Sequence, residues 1–201
     1  MSSVEIAFNQ ISDIVGKDNF IQDEHTLSFY STDVFVSSIE KPLAVVRPND
    51  SNELIKVVKT CIANDVSIIV RGGGASYTGG YLPINNNTII VDSQNLKKIE
   101  INEEDMFVTV EPGVTWLELY EALNPLGLRT PFWGPFSGRV ATIAGSMSYH
   151  ALSHGTNNAV SADSLSSLQV IIGTGEVIET GSQGDNDNSS RFFRHYGPDT
   201  G

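Results

Sequence analysis

The sequence predicts an α+β fold, and three observations support that class. Stretches with apolar residues at helical spacing alternate with short runs rich in Val and Ile, and glycine-containing turns separate pairs of such runs. The composition is that of a folded protein, since 40% of the 201 residues are hydrophobic and 18% are charged. No internal repeat or low-complexity linker divides the chain, so residues 1–201 are predicted to form one domain.

The first half of the chain is predicted to begin with a helix and to continue as a strand–helix–strand unit. Apolar residues follow helical spacing over residues 4–15. A short strand over 43–46 precedes a helix that begins with a capping box of Asp50 and Glu53, and a second strand covers 66–70. Such a unit favours parallel pairing of its two strands through a right-handed crossover.

The second half is predicted to add one strand, two hairpins and one helix. The helix begins with a capping box of Thr115 and Glu118 and carries Trp116 and Tyr120 at core spacing. Residues 129–164 show little periodicity, and a loop of that length inside a compact domain is usually functional. The strand is predicted over 88–92, and the hairpins pair 97–101 with 106–111 and 167–173 with 175–181.

The most unusual stretch is residues 71–80, Arg-Gly-Gly-Gly-Ala-Ser-Tyr-Thr-Gly-Gly, directly after a predicted strand. Glycine adopts positive φ and has no Cβ, so such a loop turns its N–H groups inward as an anion nest and lets a pyrophosphate approach closely. Ser76 and Thr78 add hydroxyl donors. The alternative is a turn that serves packing alone, but five glycines within residues 72–80 favour the anion nest.

The common phosphate and nucleophile motifs do not fit this loop. A P-loop needs Gly-Lys-Ser/Thr, and the loop contains no lysine. A Rossmann fingerprint needs a glycine where Tyr77 stands and a helix directly afterwards, which is not predicted. A serine hydrolase is disfavoured because the chain has no Gly-x-Ser-x-Gly elbow.

Charge and cysteine content restrict the partners and the compartment. The net charge is −12 and the 12 basic residues are scattered, which argues against nucleic acid. The sequence contains no run of 18 apolar residues, so no transmembrane segment is predicted. Cys61 is the single cysteine, which excludes an internal disulfide, and it lies on the apolar stripe of a predicted helix. We therefore expect a reducing cytoplasmic location, with the inner face of the membrane as the alternative.

Several motifs in a fixed order resemble a known family. Leu-Ala-Val-Val-Arg-Pro, the glycine loop, Val-Thr-Val-Glu-Pro-Gly, Thr-Ile-Ala-Gly-Ser and Gly-Glu-Val-Ile follow one another along the chain. This series resembles the FAD-binding domain of the vanillyl-alcohol-oxidase/PCMH-type flavoproteins, above all the FAD-linked oxidases and dehydrogenases of 2-hydroxy acids, such as glycolate oxidase flavin subunits and D-lactate dehydrogenases. The resemblance implies a PCMH-type fold with two α+β subdomains around a mixed sheet, and FAD between them.

The resemblance also implies which residues bind the cofactor. The glycine loop matches the pyrophosphate loop, Pro-Gly closes a hairpin near the cofactor, and Thr-Ile-Ala-Gly runs alongside it. The following loop matches one that faces the isoalloxazine or the ribityl chain, and the last strand matches one that reads the adenine edge. The implied residues are Gly72, Gly73, Gly74, Ala75, Ser76, Gly79, Gly80, Pro112, Gly113, Thr142, Ala144, Gly145, Ser148, His154, Gly155, Thr156 and Ile178.

Two departures from the family pattern refine this expectation. Ala75 stands where covalent members carry a flavinylated histidine, so the FAD is expected to be non-covalent. Ala144 replaces the first glycine of a Gly-Gly pair, a small change that leaves room for the cofactor. The implied reaction is hydride transfer from a 2-hydroxy acid or a similar CH–OH donor to flavin N5. The resemblance assigns substrate binding and the catalytic base to a further C-terminal domain, and it implies an electron-acceptor partner.

Alternatives remain open at this point. The domain also suits a reductase of the UDP-N-acetylenolpyruvoylglucosamine type, or a binding module without activity of its own. His150 and His154 are four residues apart, but a zinc protease would need Glu where Ala151 stands, so contact with the flavin is favoured over metal binding. Three loop aromatics either form a wall of the flavin site or are buried anchors: Phe132, Trp133 and Phe136.

Overall fold

A computed structural model describes residues 3–131, 134–149 and 165–181. The α-helices are α1 (Ser3–Val15), α2 (Glu24–Tyr30), α3 (Ser51–Ala63), α4 (Trp116–Leu123) and α5 (Ile143–Ser148). The strands are β1 (Phe20–Ile21), β2 (Ala44–Val46), β3 (Ser67–Arg71), β4 (Thr88–Asp92), β5 (Ile99–Asn102), β6 (Phe107–Val110), β7 (Ser167–Ile171) and β8 (Val177–Gly181).

The central element is a four-stranded mixed sheet in the order β1-β2-β4-β3, as the α+β prediction requires. β2 and β3 are both parallel to β4, and β1 is antiparallel to β2. The direct pairing expected between β2 and β3 is wrong, because β4 lies between them. All five residues of β4 are buried, so this apolar strand takes the position where both faces and both edges are covered.

Helices cover both faces of this sheet. On one face α1 and α3 pack against Val46, Ile89 and Val91. On the other face Tyr30, at the end of α2, packs against Val45 and Ile90. Neighbouring residues of one strand point to opposite faces, which explains why Ile89 and Ile90 belong to different clusters although both are fully buried.

A second core lies beyond the sheet, around α4 and the β5–β6 hairpin. Its buried members come from α4, from the first residue of α5 and from the segments before these two helices, namely Val114, Trp116, Leu119, Leu123, Ala141 and Ile143. The indole Nε1 of Trp116 donates a hydrogen bond of 2.8 Å to Ser146 Oγ and so connects α4 with α5. The expected arrangement of two parts around a mixed sheet is confirmed.

Local signals for helix ends were mostly correct. The capping box of Thr115 and Glu118 is present. Asp50 caps α3 by accepting from the Glu53 N–H at 2.8 Å, but the Glu53 carboxylate accepts from the Asn49 N–H instead of the Asp50 N–H. The packing role expected for Tyr120 is wrong, because its position lies beside the buried stripe of α4 and it is 42% exposed.

None of the helices in the described ranges is long and apolar enough to cross a membrane.

Cys61 lies in the core between α3 and the sheet, as expected, with no exposed surface. Burial raises the pKa of its thiol to about 12. The thiolate is the reactive form of cysteine, so both access and ionisation oppose reaction in the native state.

We predict that a thiol reagent labels native Cys61 at least about 100-fold more slowly than an exposed cysteine, because labelling requires unfolding. The measurement is the labelling rate with and without denaturant. The matched control is the Cys61→Ala, Ile62→Cys variant, whose thiol would occupy a neighbouring position of α3 that is 43% exposed in the native protein. Equal labelling rates for the two native proteins would contradict the assignment of Cys61 to the core.

Candidate functional site

The candidate site begins where the parallel strands β3 and β4 end. Arg71 and Asp92 are opposite each other in the register of these strands. Gly72 and Gly73 continue from β3, and the Ser93 N–H donates to Arg71 O at 3.1 Å. Ligands of parallel sheets usually bind at the carboxyl ends of the strands, so this edge is where a ligand is expected.

Two segments from the second core lie against this edge. Thr115 and Thr142 form an antiparallel bridge, and the Trp116 N–H donates to Ala141 O at 3.2 Å. The Ile143 N–H donates to Val114 O at 3.0 Å. The chain before α4 is therefore held beside the chain before α5.

Three glycines allow these segments to approach one another. A Cβ added at Gly73 would lie 1.5 Å from Val140 O, and one at Gly113 would lie 2.0 Å from Ser93 O. A Cβ at Gly72 would lie 2.5 Å from Thr142 Oγ1. Distances this short leave no room for a side chain. The packing role considered for the glycine loop thus applies at these positions, in addition to any role in ligand binding.

The first half of the glycine loop has free backbone donors. Within the part of the chain that the structure describes, no acceptor is hydrogen-bonded to the N–H groups of Gly72 through Ser76. In the second half, the Gly79 N–H donates to Asp33 Oδ2 at 2.7 Å and the Thr78 N–H donates to Ser76 Oγ at 3.3 Å. Successive unpaired N–H groups favour an anion, so the nest is confined to the first half.

These segments enclose a cleft of about 180 Å³. One of its cations, Lys97, is paired with Glu118 through an Nζ to Oε2 distance of 2.7 Å. The lining residues are Arg71, Gly72, Gly73, Asp92, Gln94, Lys97, Gly113, Thr115, Val140 and Thr142.

A buried polar network lies behind the cleft, around Asp92, which is 1% exposed. Its Oδ2 accepts from the Tyr30 hydroxyl and, at 3.3 Å, from Arg47 Nε, and Arg47 Nη2 donates to Tyr30 Oη at 2.9 Å. Burial, together with the hydrogen bond to the Asp92 carboxylate, raises the pKa of the Tyr30 hydroxyl above its ordinary value. The network keeps the end of β4 in place.

The structure brings together four of the residues that the resemblance implied: Gly72, Gly73, Gly113 and Thr142 all line the cleft. The other loop residues lie nearby. Pro112 O accepts from Ser93 Oγ at 3.4 Å, Ala75 packs against the second core, and a Cβ on Gly80 would clash with the hydroxyl of Tyr149.

Other implied residues lie outside the cleft. On α5 the Gly145 N–H donates to Thr142 Oγ1 at 3.1 Å, and Ser148 Oγ donates to Ala144 O at 2.8 Å, so both groups bond within their own helix. Ile178 lies on β8 opposite Val170, and β7–β8 contributes no lining residue.

Some of the predictions fall on parts of the chain that the structure leaves out. His150, His154, Gly155, Thr156, Phe132 and Trp133 lie outside the described residues. Phe136 is described and is 95% exposed, so the buried-anchor interpretation is wrong for it.

Sequence reasoning missed the charged part of the cleft. Arg71 and Asp92 are the last residues of neighbouring strands, and their side chains line the cleft beside the glycines. The signal was present, since two parallel strands that each end in a charged residue bring those charges together. Lys97 and Val140 had no such signal, because only the folded chain brings them to this edge.

A family model described as an FAD binding domain matches residues 42–181. Among curated proteins, glycolate oxidase subunit GlcD of Bacillus subtilis is 28% identical, over 87% of this chain and 37% of that protein. A mitochondrial D-lactate dehydrogenase [cytochrome] of Arabidopsis thaliana is 33% identical, over 83% of this chain and 30% of that protein. The chain therefore spans about a third of the length of these relatives.

Solved structures share the fold at low sequence identity. The crystal structure of p-cresol methylhydroxylase with substrate bound has a TM-score of 0.83, with 22% identity over 98% of this chain and 39% of that chain. Alkyldihydroxyacetonephosphate synthase has a TM-score of 0.81, with 18% identity over 94% and 37% of the two chains. At these identities the likeness concerns architecture alone, and it confirms the expected PCMH-type fold.

We predict that Gly73→Ala lowers the free energy of unfolding by about 1–3 kcal/mol and weakens FAD uptake, because the new methyl group must displace the Val140 carbonyl. Urea unfolding and titration with FAD measure the two effects. Gly173→Ala is the control, since a Cβ there meets nothing within 4 Å and the residue lies in the β7–β8 turn. A Gly73→Ala protein as stable as the control would show that the two segments are not in contact.

Proposed function

This chain belongs to the family of FAD binding domains, and on that premise we propose that it is the cofactor-binding part of an oxidoreductase that oxidises a 2-hydroxy acid or a similar CH–OH donor. Similarity to the glycolate oxidase subunit and to the D-lactate dehydrogenase supports this substrate class. The observation that carries the proposal is the row of N–H groups from Gly72 to Ser76, at the end of a parallel strand, which find no acceptor among the described residues.

The described residues fit the diphosphate of FAD. Unpaired backbone N–H groups replace the water molecules that a phosphate oxygen loses on binding. The glycines of the loop have no side chain that would keep the phosphate at a distance. Gly74 has a φ of 67°, the left-handed conformation that turns neighbouring N–H groups toward one point. We assign the diphosphate to this loop and the adjoining part of the cofactor to Gly113 and Thr142.

The remaining implied residues complete this proposal. The isoalloxazine and ribityl parts are assigned to the segment after Thr142, and the adenine edge to the strand that contains Ile178. The segment assigned to the isoalloxazine and ribityl parts contains Ala144, Gly145, Ser148, His154, Gly155 and Thr156. The adenine edge is assigned to Ile178. Pro112, Gly79 and Gly80 support the loops around the diphosphate.

When bound, FAD supplies a hydride acceptor at flavin N5. The residues of this chain would bind and orient it, with the backbone contact between Gly73 and Val140 forming one side of the cleft. We assign the substrate-binding residues and the catalytic base to a C-terminal domain of the protein, and we expect a separate electron acceptor. A cytoplasmic location is supported by the single cysteine, which stays a buried thiol.

We predict that acid precipitation of the FAD-loaded protein releases all flavin into the supernatant. The methyl group of Ala75 offers no atom for a covalent bond to the flavin. Flavin absorbance in the supernatant and in the pellet measures the partition. Flavin that remains with the pellet would contradict non-covalent binding.

The substrate class is tested on the protein that carries this domain together with its substrate-binding part. We predict that D-lactate or glycolate bleaches the visible flavin absorbance under anaerobic conditions, because each has a hydroxyl and a hydrogen on the carbon beside the carboxylate. Propionate and acetate, which lack the hydroxyl, are the matched controls and should leave the spectrum unchanged. Bleaching by NADPH, with no response to the hydroxy acids, would instead favour the UDP-N-acetylenolpyruvoylglucosamine reductase type.

A further inference from the structure

The side chain of Arg71 is surrounded by aromatic rings. Its guanidinium carbon lies 4.4 Å from the ring centroid of Tyr30, 5.3 Å from that of Tyr81 and 5.4 Å from that of Phe29. Rings at these distances stabilise the cation and restrict its rotation. They offer few hydrogen-bond acceptors, however, and the Nε atom of Arg71 is buried without a hydrogen-bond partner.

Among the residues that the structure describes, no carboxylate neutralises the charge of Arg71. Arg47, which belongs to the network behind the cleft, is paired with Asp92, and Lys97, which lines the cleft, is paired with Glu118. The ion pairs that the described part of the chain forms do not include Arg71. A cation held in a cleft without a counter-charge is costly in the empty protein, and an anionic ligand removes that cost.

Arg71 is also in contact with the anion nest. A Cβ added at Gly74 would lie 2.1 Å from Arg71 Nη2, so the guanidinium lies directly against the Gly74 backbone. The hydroxyl of Tyr81, one of the three rings, donates to Gly74 O at 2.9 Å. The same aromatic residues therefore hold the cation and the loop in one arrangement.

We propose that Arg71, held by Phe29, Tyr30 and Tyr81, is the cation that pairs with the diphosphate of the cofactor. This inference rests on the proposed function and adds a charged partner to the backbone donors of the loop. Planar guanidinium groups bind phosphate oxygens through two parallel N–H donors, and lysine binds them as a point charge. Arg71 thus adds a charge-assisted contact to the phosphate oxygens that the backbone donors alone do not supply.

The test compares FAD affinity and its salt dependence in the wild type and in Arg71→Met, Arg71→Lys and Arg129→Met. Arg71→Met should weaken FAD binding roughly 10- to 100-fold and flatten the slope of log Kd against log salt concentration, because one ionic contact is lost. Arg71→Lys should lose less affinity and keep the slope. Arg129 is exposed and is not among the residues that line the cleft, so Arg129→Met should match the wild type.

The outcomes separate this inference from the function on which it rests. A wild type that takes up no FAD overturns both. Two results would overturn the role of Arg71 alone, provided that the wild type binds FAD. In the first, Arg71→Met binds FAD as tightly as the wild type. In the second, Arg71→Met binds FAD more weakly but keeps the slope of log Kd against log salt concentration, as a purely structural role would predict. If Arg71→Met does not fold, the salt dependence of FAD binding by Arg71→Lys tests the proposal instead. A flattened slope in Arg71→Lys would contradict the proposal.

Discussion

The backbone of Gly73 lies against the carbonyl of Val140, and no side chain fits between them. This contact joins the end of a sheet strand to the segment before α5 and so joins the two cores of the molecule. Gly113 makes a similar close approach to Ser93 O. The cleft exists because these backbones meet without side chains, which leaves N–H groups of the loop free for a ligand. Any larger residue at Gly73 would strain this contact between the two cores.

The overall charge of this protein is unfavourable for binding an anion, so favourable charge is needed close to the ligand. The chain has a net charge of −12, and its proposed ligand is an anion. At physiological ionic strength, charges farther away than about 8 Å are largely screened. The electrostatic part of the binding free energy therefore depends on the groups nearest the ligand. The backbone dipoles from Gly72 to Ser76 and the cation of Arg71, which forms no ion pair with a described residue, all lie in or beside the cleft. Arg47 and Lys97 are neutralised by their own carboxylates, which leaves the favourable charge at one place.

Each of the two cores positions a different part of the site. The sheet core fixes the ends of β3 and β4, because Asp92 is bound to Tyr30 and Arg47. The second core supplies the segments that close the cleft, and it receives Ala75 from the glycine loop. A ligand in the cleft contacts both cores, so binding should stabilise their mutual arrangement as well as the loop.

Local signals along the chain were sufficient for the α+β class, for every described strand except the two-residue β1, for the capping box of Thr115 and Glu118, and for the glycine loop, because each depends on residues close in sequence. The resemblance of ordered motifs was sufficient for the FAD family. Strand order required the folded chain: β4 separates β2 from β3 because its apolar residues are best covered at the centre. The exposure of Tyr120 also required the folded chain. Its spacing on α4 does not distinguish a position on the buried stripe from one beside it. Only the tertiary structure decided that Gly73 meets Val140 and that Arg71 forms no ion pair among the described residues, because each depends on segments that are distant in the sequence and whose approach no local propensity encodes.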